Sequence, residues 1–331
     1  MAEPSIARVF TVMLNPAIDH TVRVTALVPG SVHRALGQQV EAGGKGVGVA
    51  AVLAALGVPV TATGWLGADN DAVFTEAFAA RGIADGMLRL PGATRTNIKI
   101  ADAGRGDSTD INLPGLALAP EALARAEADL CALLQAQVRA GDWCELAGSL
   151  PPGADAAVWE RLARALAARG AHLAIDTGGA VLGQLLRALA DPARGAVVPV
   201  AFIKPNRAEL EELAGRALPT LAGVAGAARA LCRDHGVRQV AVSLGGEGAV
   251  IATAADCWHA AAPRVPVATT VGAGDALVAG TLAALSQGRP LPGAATFGMA
   301  CAAARIQRIA PGLPPRAEVD ALAAAIAATP L

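Results

Sequence analysis

The chain is expected to fold as an α/β protein, with a mainly parallel sheet covered by helices on both faces and a small β-sheet lid. From about residue 120 onward, short apolar runs at 143–147, 172–175, 200–203 and 239–242 alternate with Ala/Leu-rich stretches of helical period such as 121–138 and 156–168. That alternation is the signature of strand–helix–strand units. Each run is followed directly by glycine or polar residues: Gly148-Ser149, Asp176-Thr177, Lys204-Pro205-Asn206 and Ser243-Leu244-Gly245-Gly246. Ligands bind at the carboxyl ends of strands in such sheets, so four such ends imply one long crevice. The N-terminal third differs, because residues 17–42 and 91–114 have little helical period.

Residues 9–14 read as the first strand. Asn15-Pro16-Ala17-Ile18-Asp19 ends it, since proline stops the ladder. Asp19 is there either as part of an Asx-type turn or as a bidentate partner for sugar hydroxyls. Residues 20–24, 32–40 and 96–100 alternate apolar and polar, as strands with one wet face do. The expected division is therefore a core of 1–16, 43–90 and 115–331 with a lid of 17–42 and 91–114. Residues 46–68 carry no charge and are long enough to span a bilayer. Gly57-Val58-Pro59 cuts that run, and a buried helix ending at Gly57 before a strand explains it better.

Composition narrows the partners. Aromatic residues make up 3%, tyrosine is absent and the formal net charge is −1. The chain thus offers neither a stacking platform nor a field for a polyanion, so nucleic acid is not an expected partner. Cys131, Cys144, Cys232, Cys257 and Cys301 are scattered and never in CxxC spacing, which argues for a reducing compartment and against a disulfide frame or zinc site. The first seven residues include Glu3 and lack the basic-then-apolar order of a signal peptide. A cytoplasmic protein with no membrane partner is expected.

The motifs suggest anion chemistry. Thr269-Thr270-Val271-Gly272-Ala273-Gly274-Asp275 opens a helix running through Leu285. Small residues allow close backbone approach, and free N–H groups with the positive dipole end make an anion hole suited to a transferring phosphoryl group. Asp275 could accept the proton of an attacking hydroxyl; the alternative is an ordinary helix start with a charge suited to the dipole. Gly43-Gly44-Lys45-Gly46 leads into a second helix and suits a phosphate or polyol. It is not a Walker A loop, which needs Ser or Thr after the lysine. Gly46-x-Gly48-x-x-Ala51 matches a relaxed dinucleotide fingerprint, but the preceding 37–41 is polar where a buried strand is required.

Arg95 and Lys99, four apart on a lid strand, would share a face as a cation pair for a sugar phosphate or remain solvated charges. Asn206 and Glu209 share the first turn of a helix. They either hold metal-bound waters near phosphates or form a capping box.

Taken together and in this order, the motifs resemble those of the ribokinase-like (PfkB) carbohydrate kinases, over Thr11 to about Arg308. The likeness is strongest to the branch acting on fructose 1-phosphate and tagatose 6-phosphate. It implies a three-layer α/β sandwich with a β lid, ATP and Mg2+ as cofactors, and a homodimer formed through the lids. It further implies Asp275 as catalytic base with Gly272, Ala273 and Gly274 as anion hole. Asp19, Gly43, Gly44, Lys45, Arg95, Lys99 and Ser149 would meet the sugar phosphate. Lys204, Asn206, Ser243, Gly245, Gly246 and Gly272 would meet the nucleotide, and Glu209 the metal through water. The chain departs from the branch at Gly48, where asparagine is usual, and at Leu113, where glutamate is common. The expected activity is phosphorylation of fructose 1-phosphate. Tagatose 6-phosphate, another sugar or nucleoside, and a non-catalytic sugar-phosphate sensor stand as alternatives.

Overall fold

The computed structural model describes residues 7–309 and 312–331. Strand β1 (Val9–Met13) is followed by an excursion that makes β2 (Ala17–Val24) and β3 (Gly37–Gly43). The chain returns through α1 (Lys45–Ala55) to β4 (Val60–Gly67), α2 (Ala72–Arg81) and β5 (Ala84–Leu90), then leaves again for β6 (Thr96–Asp102) and β7 (Asp107–Ile111). Strict alternation follows: α3 (Pro120–Gln137), β8 (Trp143–Ala147), α4 (Ala156–Ala168), β9 (His172–Asp176), α5 (Gly179–Ala190) and β10 (Phe202–Ile203). Helices α6 (Arg207–Ala214) and α7 (Leu221–His235) lead to β11 (Val240–Ser243), β12 (Ala249–Ala252) and β13 (Cys257–Ala260). Helices α8 (Ala273–Leu285), α9 (Leu291–Ile306) and α10 (Arg316–Ala324) precede the final strand β14 (Ala328–Pro330).

Ten strands form one sheet in the order β14-β13-β12-β11-β10-β9-β8-β1-β4-β5. Those from β5 to β11 run parallel, and the last three are antiparallel. The central β1 and β8 are buried at every residue, as parallel strands covered on both faces must be. Side chains on one face join α1, α8 and α9 in one core, and those on the other join α3, α4, α5 and α7 in a second. The α/β expectation is met.

The smaller sheet has the order β3-β2-β6-β7, with β2 and β6 parallel and both outer pairs antiparallel. Two details differ from the sequence expectation. The alternation at 32–40 becomes a strand only from Gly37, because Ser31 N–H and the His33 ring both bond the Val28 carbonyl and hold a loop there; Val32 is fully exposed. Strand β7, Asp-Ser-Thr-Asp-Ile, is exposed throughout and carries no apolar signal for a strand.

The uncharged run at 46–68 is divided as expected into α1, a left-handed Gly57 (φ 75°) and β4. Among the described residues, no helix is long and apolar enough to cross a membrane. Strand β3 belongs to the smaller sheet, so α1 lacks the buried parallel strand that a dinucleotide fingerprint needs. Helix α8 is buried on all sides from Ala276 to Leu285, which fixes its N-terminus rigidly at the strand ends. Its close packing on α9 depends on Gly280, where a Cβ would stand 2.6 Å from Cys301 Sγ and 2.8 Å from Gly298 Cα.

Candidate active site

Helix α8 begins at Ala273, within the motif, with Gly272 in a left-handed conformation (φ 78°) as N-cap. Two backbone bonds hold the lead-in loop to the end of α9, from Ala268 N–H (2.8 Å) and Thr269 N–H (3.1 Å) to the Ile306 carbonyl. Asp275 lies in the first turn. Burial, reinforced by the charge of Asp176, pushes its pKa up to about 7, while Lys45 and Lys204 pull against that rise. A carboxyl with this value is poised to exchange a proton near neutral pH.

Beside it lies a charged cluster of Lys45 and Lys204, which the motifs placed at the sugar phosphate and the nucleotide, and Asp176, which the sequence marked only as a strand end. Asp176, at the end of β9, accepts a hydrogen bond from Lys45 Nζ at 3.0 Å, and Lys204 Nζ lies 4.0 Å from the same oxygen. Asp176 and Lys204 are both buried. Burial disfavours the Lys45 ammonium, but Asp176 outweighs it, with help from Glu209 and Asp275, and the pKa stands above the ordinary lysine value. Lys204 Nζ also lies 3.6 Å from the point a Gly274 Cβ would occupy. Lys45, Lys204 and Asp275 are thus brought together, although they come from three distant segments.

Deeper on the same sheet, Glu145 is fully buried in the middle of β8, and neither carboxylate oxygen has a partner among the described residues. Thr11 of β1 is its register neighbour, and its hydroxyl is also buried without a partner. Burial, then repulsion from Asp176 and Asp275, raises the Glu145 pKa well above the usual range. An acidic residue inside an apolar run was the signal, and the sequence reading passed over it.

At the smaller sheet, Asp19 accepts from Asn97 Nδ2 at 3.1 Å. Gly43 packs on the Asp19 carboxylate so closely that any Cβ would collide with it. Burial raises the Asp19 pKa despite Asn97, Lys99 and Arg95. Gly44 has φ 105°, a conformation that favours glycine, and a Cβ there would stand a tight 3.2 Å from Pro16 Cα.

Arg95 and Lys99 both act on the Asp19 carboxylate, and each is also engaged within the protein. Arg95 precedes β6, and its guanidinium donates to three backbone carbonyls, those of Pro16 (3.3 Å), Leu113 (2.9 Å) and Asn15 (3.1 Å). Lys99 Nζ instead faces Asp110 across the β6–β7 pair at 3.6 Å. Ser149 Oγ accepts from Asn15 Nδ2 at 3.1 Å. A cleft of about 620 Å³ is lined by Lys45, Ser149, Thr177, Gly178 and Glu209, among others, and so joins two of the four strand ends with Glu209 of the helix that follows a third.

The fourth strand end adjoins them through Asn206, which bridges to Ser243. Asn206 and Glu209 form a reciprocal capping box, with Glu209 N–H to Asn206 Oδ1 at 2.9 Å and Asn206 N–H to Glu209 Oε2 at 2.8 Å. Gly245 (φ 60°) and Gly246 open the turn after β11. None of the described contacts joins Ser243, Gly245 or Gly246 to Asp275.

The pfkB family carbohydrate kinase profile matches residues 13–317. A 1-phosphofructokinase of Rhodobacter capsulatus is 43% identical over 316 residues, 96% of each chain. A 1-phosphofructokinase of Xanthomonas campestris is 44% identical over 278 residues, 83% of each. Among solved structures, phosphofructokinase-2 from Escherichia coli in complex with fructose-6-phosphate superposes with a TM-score of 0.84 at 25% identity, covering 96% of this chain and 99% of that one. An Arabidopsis thaliana ribokinase complexed with ribose and ATP shares the fold at TM-score 0.73 and 23% identity, covering 96% of this chain and 98% of that one. With this ribokinase-like fold and a family match spanning most of its length, the chain belongs to the pfkB family of carbohydrate kinases.

Proposed function

We propose that the protein transfers the γ-phosphoryl group of ATP to a hydroxyl of a ketohexose monophosphate, with fructose 1-phosphate as acceptor and fructose 1,6-bisphosphate as product. The observation that carries this reading is Asp275, a carboxyl with a pKa of about 7 at the N-terminus of a buried helix, above two lysines clamped by Asp176. The relatives named 1-phosphofructokinase support the choice of sugar.

In this mechanism Asp275 takes the proton of the attacking hydroxyl as its oxygen bonds to the γ-phosphorus, and the bond to the bridging oxygen of ADP breaks. The backbone of Gly272, Ala273 and Gly274 and the Lys204 ammonium stabilise the charge on the transferring group. Asp19, Gly43, Gly44, Lys45 and Ser149 hold the sugar phosphate, with Arg95 and Lys99 at its margin. Asn206, Ser243, Gly245 and Gly246 flank the nucleotide.

Magnesium fits this site as an ion held chiefly by phosphates and water. No group of three His, Cys, Asp or Glu side chains that could hold a metal occurs among the described residues, and Mg2+ rarely uses an all-protein cage. Glu209 has one oxygen committed to its cap, while Oε1 faces Gly178 and is placed to order a metal-bound water. When bound, the ion neutralises phosphate charge.

We further propose a homodimer through the smaller sheet, where Val28, Val32, Leu36, Val40, Ile111 and Leu113 are all at least 41% exposed. The five free cysteines fit a reducing, cytoplasmic setting.

Coupled-assay rates with ATP across fructose 1-phosphate, fructose 6-phosphate, tagatose 6-phosphate and ribose test the proposal. Fructose 1-phosphate should be preferred, and Asp275→Asn should cut turnover by about 10²–10⁴ while leaving sugar-phosphate binding within several-fold. Activity on ribose alone would sink the assignment of substrate.

A further inference from the structure

Two cations bracket the glycine turn at the head of α8. Lys204 Nζ stands 3.6 Å from the Cβ position of Gly274, and Arg305 Nε stands 3.2 Å from that of Gly272, with Arg305 Cδ and Cγ at 3.9 Å. Lys204 follows β10, whereas Arg305 lies in the last turn of α9. The adjoining Ile306 carbonyl is the one that fastens the lead-in loop, so the approach to the turn is held beside Arg305. Its Nη1 donates to the Arg308 carbonyl at 2.6 Å.

A basic residue in the last turn of α9 suits that helix's own dipole. This does not account for the side chain lying along Gly272, where the positive end of α8 makes a cation unwelcome. Burial lowers the Arg305 pKa, and Glu41 of β3 and Asp275 oppose that shift. Asp275 offsets the local positive charge only while it is ionised. Once it has taken the acceptor's proton, Glu41 and Asp176 remain as counter-charges to Arg305 and Lys204, and the two cations and the helix end together favour an anion at the turn.

We propose that Arg305 is a catalytic residue that binds the γ-phosphoryl group from the side of the turn opposite Lys204. This rests on the kinase reading above. It adds a second cation, which the motifs did not indicate.

Calorimetry with MgADP and with a non-hydrolysable MgATP analogue, on wild type, Arg305→Met, Arg305→Gln and Arg305→Lys, tests the proposal alongside kcat and melting temperature. Arg305→Met should weaken the analogue at least about tenfold, leave MgADP within about twofold and lower kcat about 10²-fold, by analogy with loss of one transition-state donor. Arg305→Lys should recover part of the loss, as should added guanidinium ion with Arg305→Met, and melting temperature should hold. If Arg305→Met does not fold, Arg305→Gln reads the same analogue-to-ADP ratio.

Equal weakening of both nucleotides, or an unchanged ratio with kcat intact, overturns the proposal. So does a rise in sugar-phosphate KM with the ratio unchanged, which would move Arg305 to the acceptor's phosphate. A wild type that phosphorylates none of the sugars, yet loses its triphosphate preference in Arg305→Met, would sink the acceptor assignment and leave Arg305 standing.

Discussion

Gly48 of α1 and Asp275 at the head of α8 share one space: a Cβ on Gly48 would stand 2.9 Å from Asp275 Cγ and 3.1 Å from its Cβ, and would overlap the carboxylate oxygen. The absent side chain therefore lets the base sit against the backbone of α1. Gly48→Ala should gain about 0.5–1 kcal/mol from helix propensity, yet force the carboxylate to rotate. We expect a melting temperature that holds or rises, with kcat down about tenfold or more, since small displacements of a catalytic group are costly. Gly48→Asn, with a larger side chain, should lose more. Steady-state kinetics with parallel thermal melts checks both, and full activity in Gly48→Ala would show that the base tolerates displacement.

Asp176 ties the two lysines together and raises the Asp275 pKa. Asp275 works as a base when ionised, so kcat/KM should climb as pH rises through about 7 and then level. Asp176→Asn removes one repelling charge and releases Lys45 and Lys204 from their partner, and both changes favour the ionised form of Asp275. The acidic limb of the pH–rate profile should therefore shift to lower pH. Removing one member of a buried ion cluster should also cost about 3 kcal/mol or more. A limb that stays in place while stability falls would separate the two roles of Asp176.

Glu145 is buried in β8 without a partner for either oxygen among the described residues, and its folded-state pKa lies well above 4.5. A carboxyl raised in this way binds its proton more tightly folded than unfolded, so stability is lost as pH rises from the unfolded value towards the folded one. Glu145→Gln abolishes that loss. Its melting temperature should exceed wild type at pH 8, and the difference should vanish near pH 4. Fluorimetric melts across that range decide it; a Gln variant less stable at pH 8 would mean that Glu145 has a stabilising partner.

Legibility followed periodicity and burial. Helix α4 and strand β8 could be read from the sequence because a helix covering a sheet is amphipathic and a doubly covered strand is continuously apolar. Strand β7 could not, since Asp107–Ile111 pairs only with β6 and faces water throughout. At the site, Asp275 and Lys45 were visible because glycines announce them locally. Asp176, Arg305 and the meeting of Gly48 with Asp275 depend on segments far apart in the chain that only the fold unites. Arg95 shows the reverse case, where a charge read as either a sugar-phosphate cation or a solvated group is engaged by backbone carbonyls of other segments.

The smaller sheet connects to the core through four chain crossings, and the Arg95 guanidinium binds carbonyls at two others besides its own, Asn15-Pro16 and Leu113. Burial lowers its pKa, with Asp19 opposing. Three bonds from one charged group to backbone carbonyls should contribute about 1–3 kcal/mol, and Arg95→Met should lower the melting temperature accordingly. Arg95→Lys keeps the charge but cannot reproduce a planar fork reaching three acceptors. If Arg95 acts chiefly as this fastening, Lys and Met variants will lose stability alike, with sugar-phosphate KM changed little. If its charge also meets the acceptor's phosphate, Arg95→Lys will retain a much lower KM than Arg95→Met at equal stability. Kinetics with fructose 1-phosphate beside melts of both variants measures which role the guanidinium performs.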